Sequence, residues 1–176
     1  IWPEGFLSGY QPGEEGPQAD SEMMPIDELI GRPRLGHLVN RLVRSTRGMY
    51  NASVATDPEG RPFFVRGKTG LVPGGESPIA GITPQGLDGG YARGTITPLV
   101  TFGEHRIIPV ICFEAYHRSI VAKGKKAGGR LISVQAGDLP FCGNRAALRQ
   151  SIGALALRAA EFGLPAVRSS LQGSAA

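Results

Sequence analysis

Two short apolar runs constrain the fold of this chain more than any other feature: IIPVICF at 107–113 and LISVQA at 131–136. Both are apolar on both faces, as central strands of a covered sheet are. A helix is predicted between them, around residues 116–127, and Gly128-Gly129 ends it. Because strands and helices alternate in this way, the chain is predicted to be α/β, with helices layered on a mixed sheet.

Hairpins accompany these central strands. YNASVAT (50–56) and FFVRGK (63–68) predict two strands joined by the turn DPEGRP (57–62). TITPLVTF (95–102) predicts a strand that pairs with 107–113 around the turn GEHR (103–106).

Helical spacing of apolar residues predicts two further helices. The first follows Arg34, where apolar residues recur at i, i+3, i+4, i+7 and i+8. These residues are Leu35, Leu38, Val39, Leu42 and Val43. The second covers residues 144–162 and precedes a last strand at 165–170. Its apolar face consists of Leu148, Ile152, Leu155, Ala159 and Phe162.

Length and composition predict one domain. The chain has 176 residues, of which 41% are hydrophobic, enough for a sizeable core. It starts with IWPEG, where Ile1-Trp2 resembles the end of a buried strand, and stops at GSAA. We therefore interpret residues 1–176 as a domain truncated at both ends. No apolar run reaches the roughly 20 residues of a membrane span.

Charge is distributed unevenly. The net charge is +4, residues 1–31 hold seven acids and no Lys or Arg, and residues 115–130 hold five basic residues and no acid. Such a basic stretch suits nucleic acid or anionic lipid, or is a solvated helix end and loop. The lack of interleaved aromatic residues favours the solvated helix end, so no nucleic-acid partner is predicted.

Cys112 is the first candidate for chemistry, because it lies where a strand passes into a loop or helix. A free cysteine is commonly a small buried hydrophobe, and that interpretation stays open. A catalytic thiol needs a base or a cation beside it. Glu4 and Lys68 both follow predicted strands and could supply these groups, although each alone is equally an exposed charge.

An ordered series of motifs resembles the nitrilase superfamily, the carbon–nitrogen hydrolases, and within it the branch of the apolipoprotein N-acyltransferases and the related conjugal transfer proteins called TraB. The series is IWPEG, YNAS with DPEGRP, GKTGLVPGGESP, PVICFEAYH, RLISVQAGD and ALRAAEFGLPAVRSS. The resemblance runs through the whole chain. It implies an α-β-β-α sandwich in which two sheets pack between helix layers.

The resemblance also implies a Glu–Lys–Cys triad. Glu4 matches the general base, Lys68 the lysine and Cys112 the nucleophile, while the backbone N–H of Phe113 would join Lys68 in stabilising the oxyanion. Glu76 and Glu114 match accessory acids. Glu114 is expected to set the field around Lys68 or Glu4, and a surface charge at a helix start is the alternative.

One segment departs from the acyltransferase pattern. After LISVQ the chain has Ala136-Gly137-Asp138-Leu139-Pro140, where Asp138 is kept in type but the usual aromatic residue is missing. LVPGGE also has Gly74 and Gly75 where an aromatic residue precedes the glycine in that branch. In the family these segments line the substrate pocket, so the identity of the substrate is the feature they change.

The function implied is acyl transfer through a cysteine thioester, with a phospholipid or another acyl donor, or an amide, as substrate. The alternatives are a soluble amidase or nitrilase and a non-catalytic part of a conjugal transfer apparatus. No cofactor is expected. The location expected is a bacterial inner membrane, with this domain on its periplasmic side.

Four other residues receive structural interpretations. Cys142 matches no motif and is a packing or loop residue, and His117 is a surface group. Arg158 and Glu161, three apart on the long helix, form an ion pair. The histidines lack metal-ligand spacing.

Overall fold

The computed structural model describes residues 36–80, 90–138 and 144–170. Within these ranges the strands are β1 (His37–Ser45), β2 (Gly48–Thr56), β3 (Pro62–Gly67), β4 (Val100–Phe102), β5 (His105–Ile111), β6 (Leu131–Ala136) and β7 (Ala166–Ser170). The helices are a 3-10 helix at Cys112–Tyr116, α1 (Arg118–Lys126) and α2 (Arg145–Phe162).

The strands form two sheets. The first is antiparallel, with the order β1-β2-β3, and Val54 of β2 lies between Val39 and Val65. The second has the order β4-β5-β6-β7, with β4 antiparallel to β5 and the last three strands parallel. The predicted hairpin and the central position of the runs at 107–113 and 131–136 are therefore confirmed.

Two apolar clusters hold the layers together. On one face of the four-stranded sheet, Ile108 and Ile132 pack with Val121 of α1 and Leu155 of α2. On its other face, Ile107 packs against Leu38 and other residues of the three-stranded sheet. The described residues thus form a helix layer on two sheets, as the predicted sandwich requires. The predicted second helix layer concerns residues outside the described ranges.

The helix predicted after Arg34 is wrong, because residues 37–45 are strand β1. Every residue of β1 is paired with a residue of β2. The polar residues between the apolar pairs are not a solvated face: His37, Asn40 and Arg41 are all buried. A strand covered on both faces carries no alternation, so its apolar pairs imitate helical spacing.

Boundaries also differ from the prediction. β4 covers three residues rather than the whole of 95–102. In the register that pairs Val100 with Ile107, Pro98 would lie opposite Pro109, and neither has an N–H for the ladder. The strand predicted at 107–113 ends at Ile111, where the 3-10 helix begins.

The long helix α2 is confirmed, but its buried face is not purely apolar. Asn144 caps its N-terminus, where its side chain accepts hydrogen bonds from the N–H groups of Ala146 and Ala147, and Gly163 ends it in the left-handed conformation. Leu155 and Ser151 are its buried residues, whereas the predicted core residue Ile152 is exposed. In the described part of the chain, no helix is long and apolar enough to cross a membrane.

Candidate active site

The turn after β5 holds Cys112 in a strained conformation. Cys112 is half-buried, begins the 3-10 helix and has a φ of 46°, in the region that non-glycine residues seldom adopt. It follows the carboxyl end of a parallel strand, which is where α/β sheets place ligand-binding groups. Asp138, two residues after β6, and Ser170, at the end of β7, lie at the same edge.

Glu114 is fully buried and accepts hydrogen bonds from four residues. Arg66 reaches it with both terminal nitrogens, each at 2.8 Å, as a bidentate pair. The backbone N–H groups of Thr69, Gly70 and Ile111 donate to it at 2.7, 3.2 and 2.9 Å. The Thr69 hydroxyl donates at 2.8 Å.

These donors keep Glu114 ionised. Burial alone would raise the pKa of Glu114, but the charge and hydrogen bonds of Arg66 and the backbone N–H groups of Thr69 and Ile111 bring it below the ordinary 4.5. The alternative of a surface charge at a helix start is therefore wrong. The carboxylate pairs with Arg66, a residue that the sequence prediction did not include.

Lys68 and Glu76 form a second buried pair. The Lys68 ammonium is 2.9 Å from Glu76 Oε1, and the Lys68 residue is only 1% exposed. Asn51 donates to the same oxygen at 2.9 Å, and the N–H of Val72 donates to Oε2 at 2.8 Å. Glu76 thus fixes a lysine head group that would otherwise be costly to bury.

Strand alternation explains why these side chains converge. Arg66 on β3 is paired with Ser53 on β2, and Ser53 faces the second sheet, where its hydroxyl bonds Gln135. Lys68, two residues after Arg66, is on the same face because side chains alternate along a strand. A backbone hydrogen bond from Lys68 N to Asn51 O, 2.7 Å long, continues the ladder past the end of β3.

Glu114 joins the chain segments that carry two of the predicted triad residues. Lys68 lies between Arg66 and Thr69, both of which donate to Glu114. Cys112 lies between Ile111, which donates to Glu114, and Glu114 itself. One carboxylate therefore anchors both segments. Glu4 lies outside the described residues.

Phe113 packs its ring against its neighbours in the turn. Its ring centroid lies 5.5 Å from that of Tyr116 and 5.2 Å from that of His117. His117 is exposed, as predicted, and precedes α1. The role of the Phe113 N–H in binding an oxyanion stays a prediction.

Asp138 forms a third buried ion pair. Its carboxylate accepts hydrogen bonds from the Arg168 guanidinium and the Ser170 hydroxyl, both on β7. Arg168 also reaches the Ser151 hydroxyl on α2 at 3.4 Å. Arg168 and Ser151 were missed by the sequence prediction, although an arginine within the buried strand PAVRSS is a signal that could have singled out Arg168.

The remaining structural interpretations have separate outcomes. The ion pair between Arg158 and Glu161 is confirmed at 2.6 Å, and Arg118 joins it from α1. Cys142 lies outside the described residues. No cluster of three or more metal-ligating side chains occurs in the described ranges.

Comparisons with solved structures identify the fold. The chain is similar to an amidase from Nesterenkonia sp., with 14% identity and a TM-score of 0.56, over 78% of this chain and 47% of the amidase. It is also similar to a carbon–nitrogen hydrolase from Helicobacter pylori G27, with 10% identity and a TM-score of 0.61, over 78% of this chain and 46% of that one. The chain has the fold of the nitrilase superfamily, to which the Nesterenkonia amidase belongs.

A comparison of sequences points to one branch. The chain is 30% identical over 136 residues to an apolipoprotein N-acyltransferase from Allorhizobium ampelinum. This alignment covers 72% of the chain but only 25% of the acyltransferase. No protein-family model matches the chain. The predicted resemblance to the nitrilase superfamily is confirmed by these structural and sequence similarities together.

Proposed function

We propose that the chain provides the catalytic cysteine of an acyl-transfer reaction of the carbon–nitrogen hydrolase type. The observation that carries this proposal is the pairing of a buried Lys68 with Glu76, on a segment that Glu114 ties to the turn containing Cys112. A buried ammonium with a fixed carboxylate suits the binding of a developing oxyanion better than it suits packing.

The proposed reaction begins with formation of a thioester. Glu4 accepts the thiol proton while Cys112 Sγ bonds to the carbonyl carbon of an amide or ester. Lys68 and the N–H of Phe113 bind the resulting oxyanion. The bond from carbon to nitrogen or oxygen then breaks, and Glu4 returns the proton to the leaving amine or alcohol.

The second half of the reaction transfers the acyl group. Glu4 takes a proton from an incoming amine, whose nitrogen attacks the thioester carbon. The carbon–sulfur bond breaks, and the thiolate recovers the proton. We favour an amine as acceptor because of the sequence similarity to an N-acyltransferase, and we propose an ester lipid as the acyl donor.

The strained turn supports the same assignment. A left-handed cysteine costs about 1 kcal/mol or more compared with an ordinary backbone, and such strain occurs preferentially at functional sites. In the Nesterenkonia amidase, acrylamide adds to the active-site cysteine. Acrylamide is therefore a suitable probe for Cys112.

Mass spectrometry of the full chain with an activated acyl ester tests the proposal. We expect one acyl group on Cys112, removable by hydroxylamine as a thioester is, and none on the Cys112→Ala variant. Lys68→Met should slow acylation by about 100-fold, the effect of removing one oxyanion donor. Lys123→Met on the exposed side of α1 is the matched control and should acylate normally.

The same experiment separates the competing functions. Addition of an amine should consume the thioester faster than water does if the chain is a transferase. Consumption by water alone would favour an amidase, the activity of the structurally similar Nesterenkonia protein. Absence of both acylation and acrylamide addition at Cys112 would refute catalysis and favour a non-catalytic role in a transfer apparatus.

A further inference from the structure

A second set of polar groups approaches Cys112 from the side of the four-stranded sheet. Tyr116 ends the 3-10 helix that Cys112 begins, and its hydroxyl forms a hydrogen bond with Ser151 of α2. Ser151 Oγ lies 3.4 Å from Arg168 Nη2. Arg168 is 2% exposed and Ser151 is 7% exposed, so both are shielded from water that could replace these contacts.

The chemistry of these groups fixes the direction of the hydrogen bonds. A guanidinium only donates, so the Ser151 oxygen accepts from Arg168. The single hydroxyl hydrogen of Ser151 is then directed to the oxygen of Tyr116. With its oxygen serving as the acceptor, the Tyr116 hydroxyl keeps its own hydrogen for another partner.

We propose that Arg168, Ser151 and Tyr116 form a chain of hydrogen-bond donors that ends at Cys112 Sγ and stabilises its thiolate. This inference rests on the proposed function, and it adds residues outside the Glu–Lys–Cys triad. Tyr116 is the group that touches the nucleophile. Ser151 and Arg168 are positioning residues, because they act through the orientation of the phenol.

Electrostatic interaction between Cys112 and Tyr116 supports this arrangement. Burial first, and then the negative charge of Cys112, raise the pKa of Tyr116 above 10, so the phenol stays protonated and able to donate at neutral pH. Ser151 and Arg168 oppose this rise in part, as expected of a donor to the phenol oxygen and a nearby cation.

Asp138 has a role in the same arrangement. It accepts hydrogen bonds from Arg168 and Ser170, and so fixes the guanidinium at the carboxyl edge of the sheet. A mobile arginine would present its charge to Cys112 in many positions. A fixed one orients the two hydroxyls, and ordered donor chains of this kind strengthen one another.

The other charged groups around the turn are already paired. Glu114, in the turn itself, is held by Arg66. Lys68 is held by Glu76. On the packed helices, Glu161 of α2 binds Arg158 and Arg118. His117 follows the turn and packs against the Phe113 ring.

The test is the pH dependence of the rate at which iodoacetamide alkylates Cys112, measured by mass spectrometry on the full chain. Tyr116→Phe removes only the hydroxyl. We expect the pH midpoint to rise and the rate at pH 7 to fall about fivefold, the effect of one hydrogen bond. Tyr50→Phe is the matched control and should leave both unchanged.

A second variant guards against a purely structural effect. Ser151→Ala should shift the pH midpoint in the same direction as Tyr116→Phe, whereas Ser151→Thr, which keeps the hydroxyl, should restore it. An unchanged midpoint in Tyr116→Phe, with a reactive Cys112 in the wild type, would overturn the donor chain and leave the proposed function standing. A wild-type Cys112 with the midpoint of an ordinary thiol would refute both.

Discussion

At the scale of the residue, the site consists of buried charges that each have a defined partner. Glu114 binds Arg66, Lys68 binds Glu76, and Asp138 binds Arg168. Cys112 differs from these residues, because its distinguishing property is its backbone and not a charge partner. A positive φ turns the chain sharply after β5, which lets the thiol stay accessible while Glu114 is buried two residues later.

The conformation of Cys112 predicts an unusual order of stability. Cys112→Gly should be more stable than Cys112→Ala by about 1 kcal/mol, because glycine adopts a φ of 46° without steric cost. Urea unfolding of the two variants measures the difference. Gln150 in the exposed middle of α2 is the control, where Ala should be more stable than Gly. The same order at both positions would contradict a left-handed residue at 112.

At the scale of the element, packing decides what a helix tolerates. Both α-helices contain an internal glycine, Gly124 in α1 and Gly153 in α2. A Cβ at Gly124 would lie 2.5 Å from Ile108 of β5, so this glycine lets α1 lie directly on the sheet. Nothing lies within 4 Å of a Cβ at Gly153, which faces open space.

These two glycines should respond oppositely to alanine. Gly153→Ala should raise the free energy of unfolding by about 0.5 to 1 kcal/mol, because alanine has the better helix propensity. Gly124→Ala gains the same propensity but forces α1 away from Ile108, and should lower the free energy by about 1 to 3 kcal/mol. Urea unfolding of both variants checks the prediction. A stabilising Gly124→Ala would mean that α1 does not pack closely on β5.

At the scale of the whole molecule, polar contacts connect the two sheets. The Ser53 hydroxyl on β2 donates to Gln135 on β6, and the Gln135 amide reaches the carbonyl of Leu38 on β1 at 3.3 Å. Glu114 adds a third connection through Arg66. Folding of each sheet is therefore linked to correct placement of the other, and the site forms only when both are in place.

This linkage predicts an acid dependence of stability. The folded-state pKa of Glu114 is lowered, so the stability it contributes is complete above its unfolded value near 4.5 and disappears as pH falls through the folded value. Glu114→Gln should cost about 3 to 5 kcal/mol at pH 7, because Arg66 loses its counter-charge. Urea unfolding from pH 7 to pH 3 should show this difference shrinking below about pH 4.5.

The control for the acid prediction is Glu104→Gln in the exposed turn between β4 and β5. That substitution should change stability little at any pH, as is usual for a surface charge. A Glu114→Gln deficit that stays constant down to pH 3 would refute an ionised Glu114 in the folded protein.

Local signals in the sequence predicted much of the fold. The hairpin of β2 and β3, the central strands β5 and β6, and the helix α2 were all predicted, because each depends on spacing and turn residues within about twenty positions. The same local reasoning failed for β1, whose polar residues are buried by distant parts of the chain. It also placed Ile152 in the core instead of Ser151, since helical spacing does not distinguish two adjacent positions on one face.

The sequence by itself determined the α/β class, the order of motifs and the candidates Glu4, Lys68 and Cys112, because these follow from short patterns. Only the tertiary structure decided which charges meet. Arg66 and Glu114 are 48 residues apart, and Arg168 and Asp138 are 30 apart. No local pattern specifies such pairs, because a buried carboxylate is paired with whichever cation the packing of the two sheets brings within hydrogen-bonding distance.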